Sequence, residues 1–152
     1  MLTAHGLACD RGDRRLFSAV DFAVAQGQWL QVEGPNGAGK TSLLRIVAGL
    51  APAADGRIEW EGQPVAEVRD EFHARLLYLG HAPSIKDDLS ALENLQTAAA
   101  VAGRPLDEHT ALTALRRIGL KGREDLPTRV LSQGQKRRVA LARLLCSQAR
   151  LW

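Results

Sequence analysis

The chain opens with two stretches in which apolar residues recur at strand spacing. Leu2–Cys9 predicts one strand, and Phe17–Ala25, through Phe17, Val20, Phe22 and Val24, predicts a second. Gln26-Gly27 is a turn signal, and Trp29-Leu30-Gln31-Val32-Glu33 predicts a third strand running into a glycine-rich loop. The period then changes. Across Lys40–Leu50 the apolar residues Leu43, Leu44, Val47 and Leu50 share one helix face, and Gly49, Pro52 and Gly56 end the pattern. Arg57–Trp60 predicts a short strand before the Glu61-Gly62 turn. Leu76-Leu77-Tyr78-Leu79 is a compact apolar run of the kind buried in a parallel sheet, stopped by Gly80.

Beyond Gly80 the pattern is helical. Ser90-x-x-Glu93 is a capping box that opens a helix through about Ala102. Asp107 or Thr110 starts another, ending near Gly119, and Pro127 breaks the chain before the next. Ser132-x-x-Gln135 is a second capping box, opening a helix through about Cys146. Arg150-Leu151-Trp152 reads as the opening of one more strand. Early strands, a strand–loop–helix unit and a helical middle predict an α/β fold: a β-rich N-terminal part carrying a helical subdomain.

Composition narrows the class. Of 152 residues, 45% are apolar and 24% charged, which is globular rather than disordered. No apolar run approaches the roughly 18 residues needed to cross a bilayer. Met1 is followed at once by Leu2, Thr3, Ala4 and His5, without the basic start and apolar core of a signal peptide, so the cytosolic side of a membrane is expected. Cys9 and Cys146 have no metal or redox spacing and read as small buried apolar residues. Charge is uneven: residues 1–103 carry 9 Lys+Arg against 13 Asp+Glu, and residues 104–152 carry 11 against 4. A basic third suits a solvated helix face, phosphate, anionic lipid or nucleic acid. With aromatics at only 5%, stacking on single strands is a poor match, and no nucleic-acid partner is expected.

One loop carries explicit chemistry. Gly34-Pro35-Asn36-Gly37-Ala38-Gly39-Lys40-Thr41 fits G-x-x-x-x-G-K-[ST] at every fixed position, and Ser42 comes next. Glycines let the backbone curl so that successive N–H groups face phosphate oxygens, and the helix from Lys40 adds its positive end. Lys40 supplies a point charge at the β- and γ-phosphates, and the Thr41 hydroxyl is a ligand for Mg²⁺. This predicts a P-loop nucleotide-binding protein using ATP and Mg²⁺. No NKxD-type guanine-reading segment occurs, while Arg116-Arg117 or Arg137-Arg138 would serve as the basic lid of a small-molecule kinase.

A second motif separates these readings. Leu131-Ser132-Gln133-Gly134-Gln135 lies 92 residues from Lys40 to Ser132 and leads into the basic run Lys136-Arg137-Arg138. Ser132 caps a helix, Gly134 permits close backbone approach, and the helix dipole faces an anion. The motif resembles the LSGGQ signature of ABC transporter ATPases, with Gln133 where the family usually has glycine. The resemblance implies a P-loop ATPase of ABC type working as a head-to-tail dimer with a second ATP-binding subunit. Residues 131–135 would then reach the γ-phosphate held by the partner's P-loop. The family's adenine-stacking aromatic would fall near Arg11-Gly12, where a guanidinium plane stands instead.

The chain is also similar to a narrower group. Ser42-Leu43-Leu44-Arg45-Ile46-Val47-Ala48-Gly49-Leu50, the run Leu76-Leu77-Tyr78-Leu79-Gly80-His81-Ala82-Pro83-Ser84-Ile85-Lys86 and Leu89-Ser90-Ala91-Leu92-Glu93-Asn94-Leu95 resemble the ATP-binding export subunits of the cytochrome c maturation system. The similarity spans essentially the whole chain. It implies ATP hydrolysis driving transmembrane exporter subunits, haem as nominal cargo without direct haem binding, and a peripheral position on the cytoplasmic face of the inner membrane. His81 stands where most relatives have a glutamine and is expected to act as a relay, and His81–Leu89 is expected to face the membrane partner. The implied organisation is a nucleotide-binding core part over 1–86, a helical subdomain over 87–130 and a signature helix over 131–146.

The family also requires an apolar strand ending in Asp-Glu, whose Asp holds Mg²⁺ through water and whose Glu positions the attacking water. Asp70-Glu71 and Asp107-Glu108 are the Asp-Glu pairs present, and neither ends an apolar strand. The required pair is expected beyond Trp152, which makes this a C-terminally truncated copy with its core sheet incomplete and no catalytic carboxylate within the chain. A nucleotide-binding fragment without catalysis, and an ABC ATPase for another small-molecule cargo, are the alternatives. The signature disfavours a soluble P-loop kinase.

Overall fold

The computed structural model describes residues 1–80 and 84–152. They fall into two compact units, Met1–Ala74 and Arg75–Trp152.

In the first unit, β1 (Leu2–Arg11) and β2 (Arg14–Val24) form a long antiparallel hairpin, with Leu2 opposite Val24 and Cys9 opposite Phe17. β1 pairs on its other side with β3 (Asp55–Trp60), which turns back into β4 (Gln63–Pro64), so the sheet order is β2-β1-β3-β4. The β3–β4 turn has Glu61 and Gly62 both at positive φ, 54° and 85°, as a tight hairpin turn with the twist of its strands requires. One face of the sheet is closed by α1 (Lys40–Val47), whose Ile46 is buried with Ala4, Leu7 and Cys9. α2 (Arg69–Arg75) is held by one apolar anchor, Phe72, which is fully buried and packs edge-on against Trp60 at 5.6 Å. Such a helix has no apolar periodicity to advertise it.

The second unit is built on three helices, α3 (Ala91–Val101), α4 (Glu108–Arg117) and α5 (Gln133–Cys146), with a 3-10 turn at Thr128–Val130. Their shared core is Ala91, Leu95, Ala111, Ala114, Leu115, Leu120, Leu131, Val139 and Ala142. The four alanines let the helix backbones approach closely, and the leucines fill the layer between them. Local chemistry sets each start. Ser90 and Ser132 form reciprocal capping boxes with Glu93 and Gln135, and the Asp107 carboxylate accepts from Thr110 N at 2.9 Å.

Three of the predicted strands differ. Trp29–Glu33 is not a strand, and Trp29 is 80% exposed. An extended segment persists only when its backbone groups are paired, and among the described residues no strand pairs with 29–33. The Leu76–Leu79 run makes only one parallel bridge, Leu76 with Leu151, with Leu77 N donating to Leu151 O at 2.8 Å and Arg150 N to Arg75 O at 2.8 Å. Among the described residues, neither Leu76–Leu79 nor Arg150–Trp152 is a strand, and the one parallel bridge is all that joins them. Cys9 is buried in the core, as expected. Cys146 is only half-buried, and partial burial raises its thiol pKa above the ordinary value.

Candidate functional site

The glycine-rich loop connects residue 33 to α1 in the first unit. Gly34, Gly37 and Gly39 all sit at positive φ, 145°, 84° and 92°. Gly39 is the N-cap of α1, and the constraint on it is twofold. A side chain there would be strained by the left-handed backbone, and a Cβ would stand 3.0 Å from Phe17 Cδ1 and 3.2 Å from Leu16 Cβ. The start of α1 is therefore seated directly on β2. No side chain caps α1, so the first-turn N–H groups keep their capacity for an outside acceptor.

The Lys40 ammonium folds back over this loop. Its Nζ donates to Gly34 O at 2.6 Å and to Pro35 O at 2.8 Å. The positive charge is thus anchored above the curl, where phosphate oxygens facing the loop N–H groups would meet it. Thr41 is exposed and Ser42 half-buried at the next two positions. A Gly34 Cβ would lie 3.6 Å from Ala38 Cβ, across the mouth of the curl. These residues fit a polyphosphate: donors, one ammonium, and a free-standing hydroxyl suited to a hard cation. A cavity of about 410 Å³ in the same unit lies by the far end of α1, against Leu7, Ile46, Pro52 and Ile58, and is apolar. Its two arginines, Arg57 and Arg69, are engaged with Glu59 and with Gly49 O. Arg11 stands beside Gly12 at the exposed tip of the β1–β2 hairpin.

The signature residues lie in the second unit. Leu131 is buried in the helical core and fixes the chain just before the cap. Ser132 Oγ accepts from Gln135 N at 3.2 Å, and Gln135 Oε1 accepts from Ser132 N at 2.8 Å. A hydroxyl that accepts in this way still has its own proton to donate. Gln133 is exposed, and a Cβ at Gly134 would meet nothing closer than Ser132 Oγ at 4.0 Å, so the surface here is open. The basic residues next in the chain are engaged with neighbours. Lys136 pairs with Asp87, Arg137 donates to Gly80 O at 3.3 Å, and Arg138 to Gly119 O at 3.3 Å. Glu124, buried, is paired with Arg116 at 2.9 Å, and that guanidinium holds its carboxyl below the ordinary glutamate value.

The remaining sequence candidates divide. His81, the expected relay, lies outside the described residues. Asp70 and Glu71 stand in the first turn of α2, and Asp107 is already used as a helix cap. None ends a strand. Sequence reasoning passes over Asn94 and Thr128, both buried, which tie the loop before α3 to the turn before Ser132. Thr128 reaches a partner 42 residues away, and no side-chain pattern marks the backbone contacts of Asn94.

Comparison with known proteins decides the family. The model for ABC transporters matches residues 17–152. This chain belongs to the ABC transporter family. Within it, the chain is 53% identical over its whole length to the cytochrome c biogenesis ATP-binding export protein CcmA of Nitrosomonas europaea, covering 71% of that protein. It is 56% identical to the protein of the same name from Aromatoleum aromaticum, covering 100% of this chain and 72% of the relative. The ABC fold is seen equally in a dimeric ATP-binding cassette solved in a post-hydrolysis state with ADP and Pi, at TM-score 0.82 and 21% identity over 98% of this chain and 71% of that one. The chain is thus an ABC-type ATPase.

Proposed function

We propose that this chain is the ATP-binding subunit of an exporter in cytochrome c biogenesis, using ATP hydrolysis to drive transmembrane partners. The observation that supports this best is the loop itself: three left-handed glycines, an uncapped α1 and an ammonium anchored over the curl, in a chain more than half identical to relatives named for that export.

In this reading Gly34–Ser42 binds the polyphosphate of ATP. The loop N–H groups and the start of α1 hold the oxygens, and Lys40 exchanges its contacts with Gly34 O and Pro35 O for the β- and γ-phosphates. Thr41 is the protein's hydroxyl ligand to Mg²⁺, which when bound neutralises phosphate charge. Leu131–Gln135 acts across a head-to-tail dimer: Ser132 Oγ, Gly134 and the α5 dipole meet the γ-phosphate held by a second subunit. Residues 1–86 form the nucleotide-binding core part, 87–130 the helical subdomain that faces the membrane partner, and 131–146 the signature helix. Among the described residues no helix is long and apolar enough to cross a membrane. The subunit works at the cytoplasmic face of the inner membrane, and haem is the nominal cargo, carried by the membrane subunits without touching this chain.

Hydrolysis also requires a base aimed along the line of attack, and Asp70-Glu71 and Asp107-Glu108 stand at helix starts. The phosphate grip is the part of the reaction that the described residues supply directly. In the complete ATPase assembled with its membrane partner, Lys40→Ala should abolish phosphate release. Release that ignored Lys40→Ala would overturn this reading.

A further inference from the structure

The loop between the described residue 84 and α3 is exposed at Lys86, Asp87 and Asp88, yet its backbone is bound on two sides. From α3, the buried Asn94 uses its whole amide on it. Oδ1 accepts from Lys86 N at 2.7 Å, and Nδ2 donates to Lys86 O at 2.9 Å, Leu89 O at 3.2 Å and Ser90 O at 2.9 Å. From the opposite side, the fully buried Thr128 donates its hydroxyl to the same Lys86 O at 2.9 Å and its N–H to Leu89 O at 2.9 Å. Arg129 N donates to Asp87 O at 3.0 Å. Two ion pairs lie outside these bonds, Arg129 with Asp88 at 3.0 Å and Lys136 with Asp87.

These contacts converge on the signature. Thr128 begins the 3-10 turn, its carbonyl accepts from Leu131 N at 3.1 Å, and Leu131 is buried beside Ser132. Lys136 lies in the first turn of α5, and its N–H donates to Ser132 O at 2.9 Å. Loop 86–90 therefore touches the cap of α5 from two directions, through Thr128–Leu131 and through the Asp87–Lys136 pair. Asn94 and Thr128 are themselves buried, so a lost bond would leave their polar groups unsatisfied, which favours one register of the loop.

We propose that Asn94 and Thr128 are positioning residues that lock loop 86–90 to the N-terminus of α5, so that a push on the loop moves Ser132 and Gly134 as part of one body. The consequence for turnover rests on the function proposed above, in which this loop meets the membrane partner and Ser132 meets the nucleotide. The lock itself rests on the contacts alone.

The test is hydrogen exchange on the intact chain carrying Thr128→Val, which keeps the branched shape and removes the donor, with Thr128→Ser as the conservative control. Exchange should rise about fivefold, the worth of one hydrogen bond, at amides 86–90 and 132–136, and stay unchanged in α4. Thr128→Ser should restore the original rates. Equal acceleration in α4 and α5, or no change at 132–136, would overturn the lock. A second arm uses the complete ATPase assembled with its membrane partner. There Thr128→Val should lower partner-stimulated kcat severalfold and leave the KM for ATP unchanged, and Thr128→Ser should recover it. An unchanged kcat would overturn the mechanical role. A complex otherwise wild-type whose turnover ignored Lys40→Ala would instead refute the proposed function, leaving the exchange result to decide the lock.

Discussion

The two helix starts of this molecule solve opposite problems. α1 begins at a glycine with no side-chain cap, and its loop is shaped almost entirely by backbone conformation. α5 begins at a serine locked into a reciprocal box with Gln135, behind a leucine buried in the helical core. The first leaves its N–H groups unspent for an anion drawn into the curl. The second spends Gln135 N–H on Ser132 and Ser132 N–H on Gln135, and has a hydroxyl proton, the first N–H groups of the helix and its dipole left to offer. In the function proposed above, the loop must surround phosphate, whereas residues 131–135 need only touch it from outside. The structure builds a flexible-sequence, fixed-backbone grip in one unit and a side-chain-braced contact point in the other.

If α5 is braced by its core and α1 by its loop, core damage should separate them. Leu115 is fully buried among α3, α4 and α5, and Leu115→Ala is expected to cost about 2–5 kcal/mol. Chemical denaturation monitored by exchange should show the loss in Arg75–Trp152, with protection of α1 retained. Equal loss in both units would dissolve the contrast. A smaller effect is expected at the cap. Ser132→Ala removes the acceptor for Gln135 N and should cost about 1 kcal/mol, read as a lower midpoint without any change in Mg-ATP affinity of the isolated chain.

The smallest effect concerns acid. Arg116 holds the Glu124 carboxyl below its ordinary value of 4.5, so the folded state favours the ionised form. The stability this gives is fully present above pH 4.5 and is lost as pH falls through the lowered value. Arg116 is half exposed, which limits the pair to less than about 1 kcal/mol. Glu124→Gln should lower the melting temperature slightly at neutral pH, and the difference should vanish at the acid end. A difference that grows toward low pH would reverse the sign and contradict the pairing.

Legibility in the sequence divides along the same line. Ser90 with Glu93 and Ser132 with Gln135 are contacts three residues apart, and each helix start they predict is present; of the alternatives Asp107 and Thr110, Asp107 is the cap. The loop glycines are legible because a backbone that must turn left-handed leaves few residue types to choose from. Trp29–Glu33 reads as a strand on apolar content, but a strand is completed by a neighbour, and content alone does not supply one. α2 is illegible because Phe72 is its single buried anchor. Thr128 is invisible for a different reason: its work is done on backbone atoms of a distant loop, and Asn94 works on the backbone just before its own helix, a role no side-chain pattern marks.

The central claim is that Gly34–Thr41 binds the phosphates of ATP, with Lys40 as the charge at their centre. Calorimetric titration of Mg-ATP into the chain and into Lys40→Ala tests it most directly. A charge-assisted contact is worth on the order of 1.5–3 kcal/mol, so the account predicts saturable binding by the chain and affinity weakened by more than about tenfold in the variant. Equal affinity of the two, with both folded by circular dichroism, would contradict it.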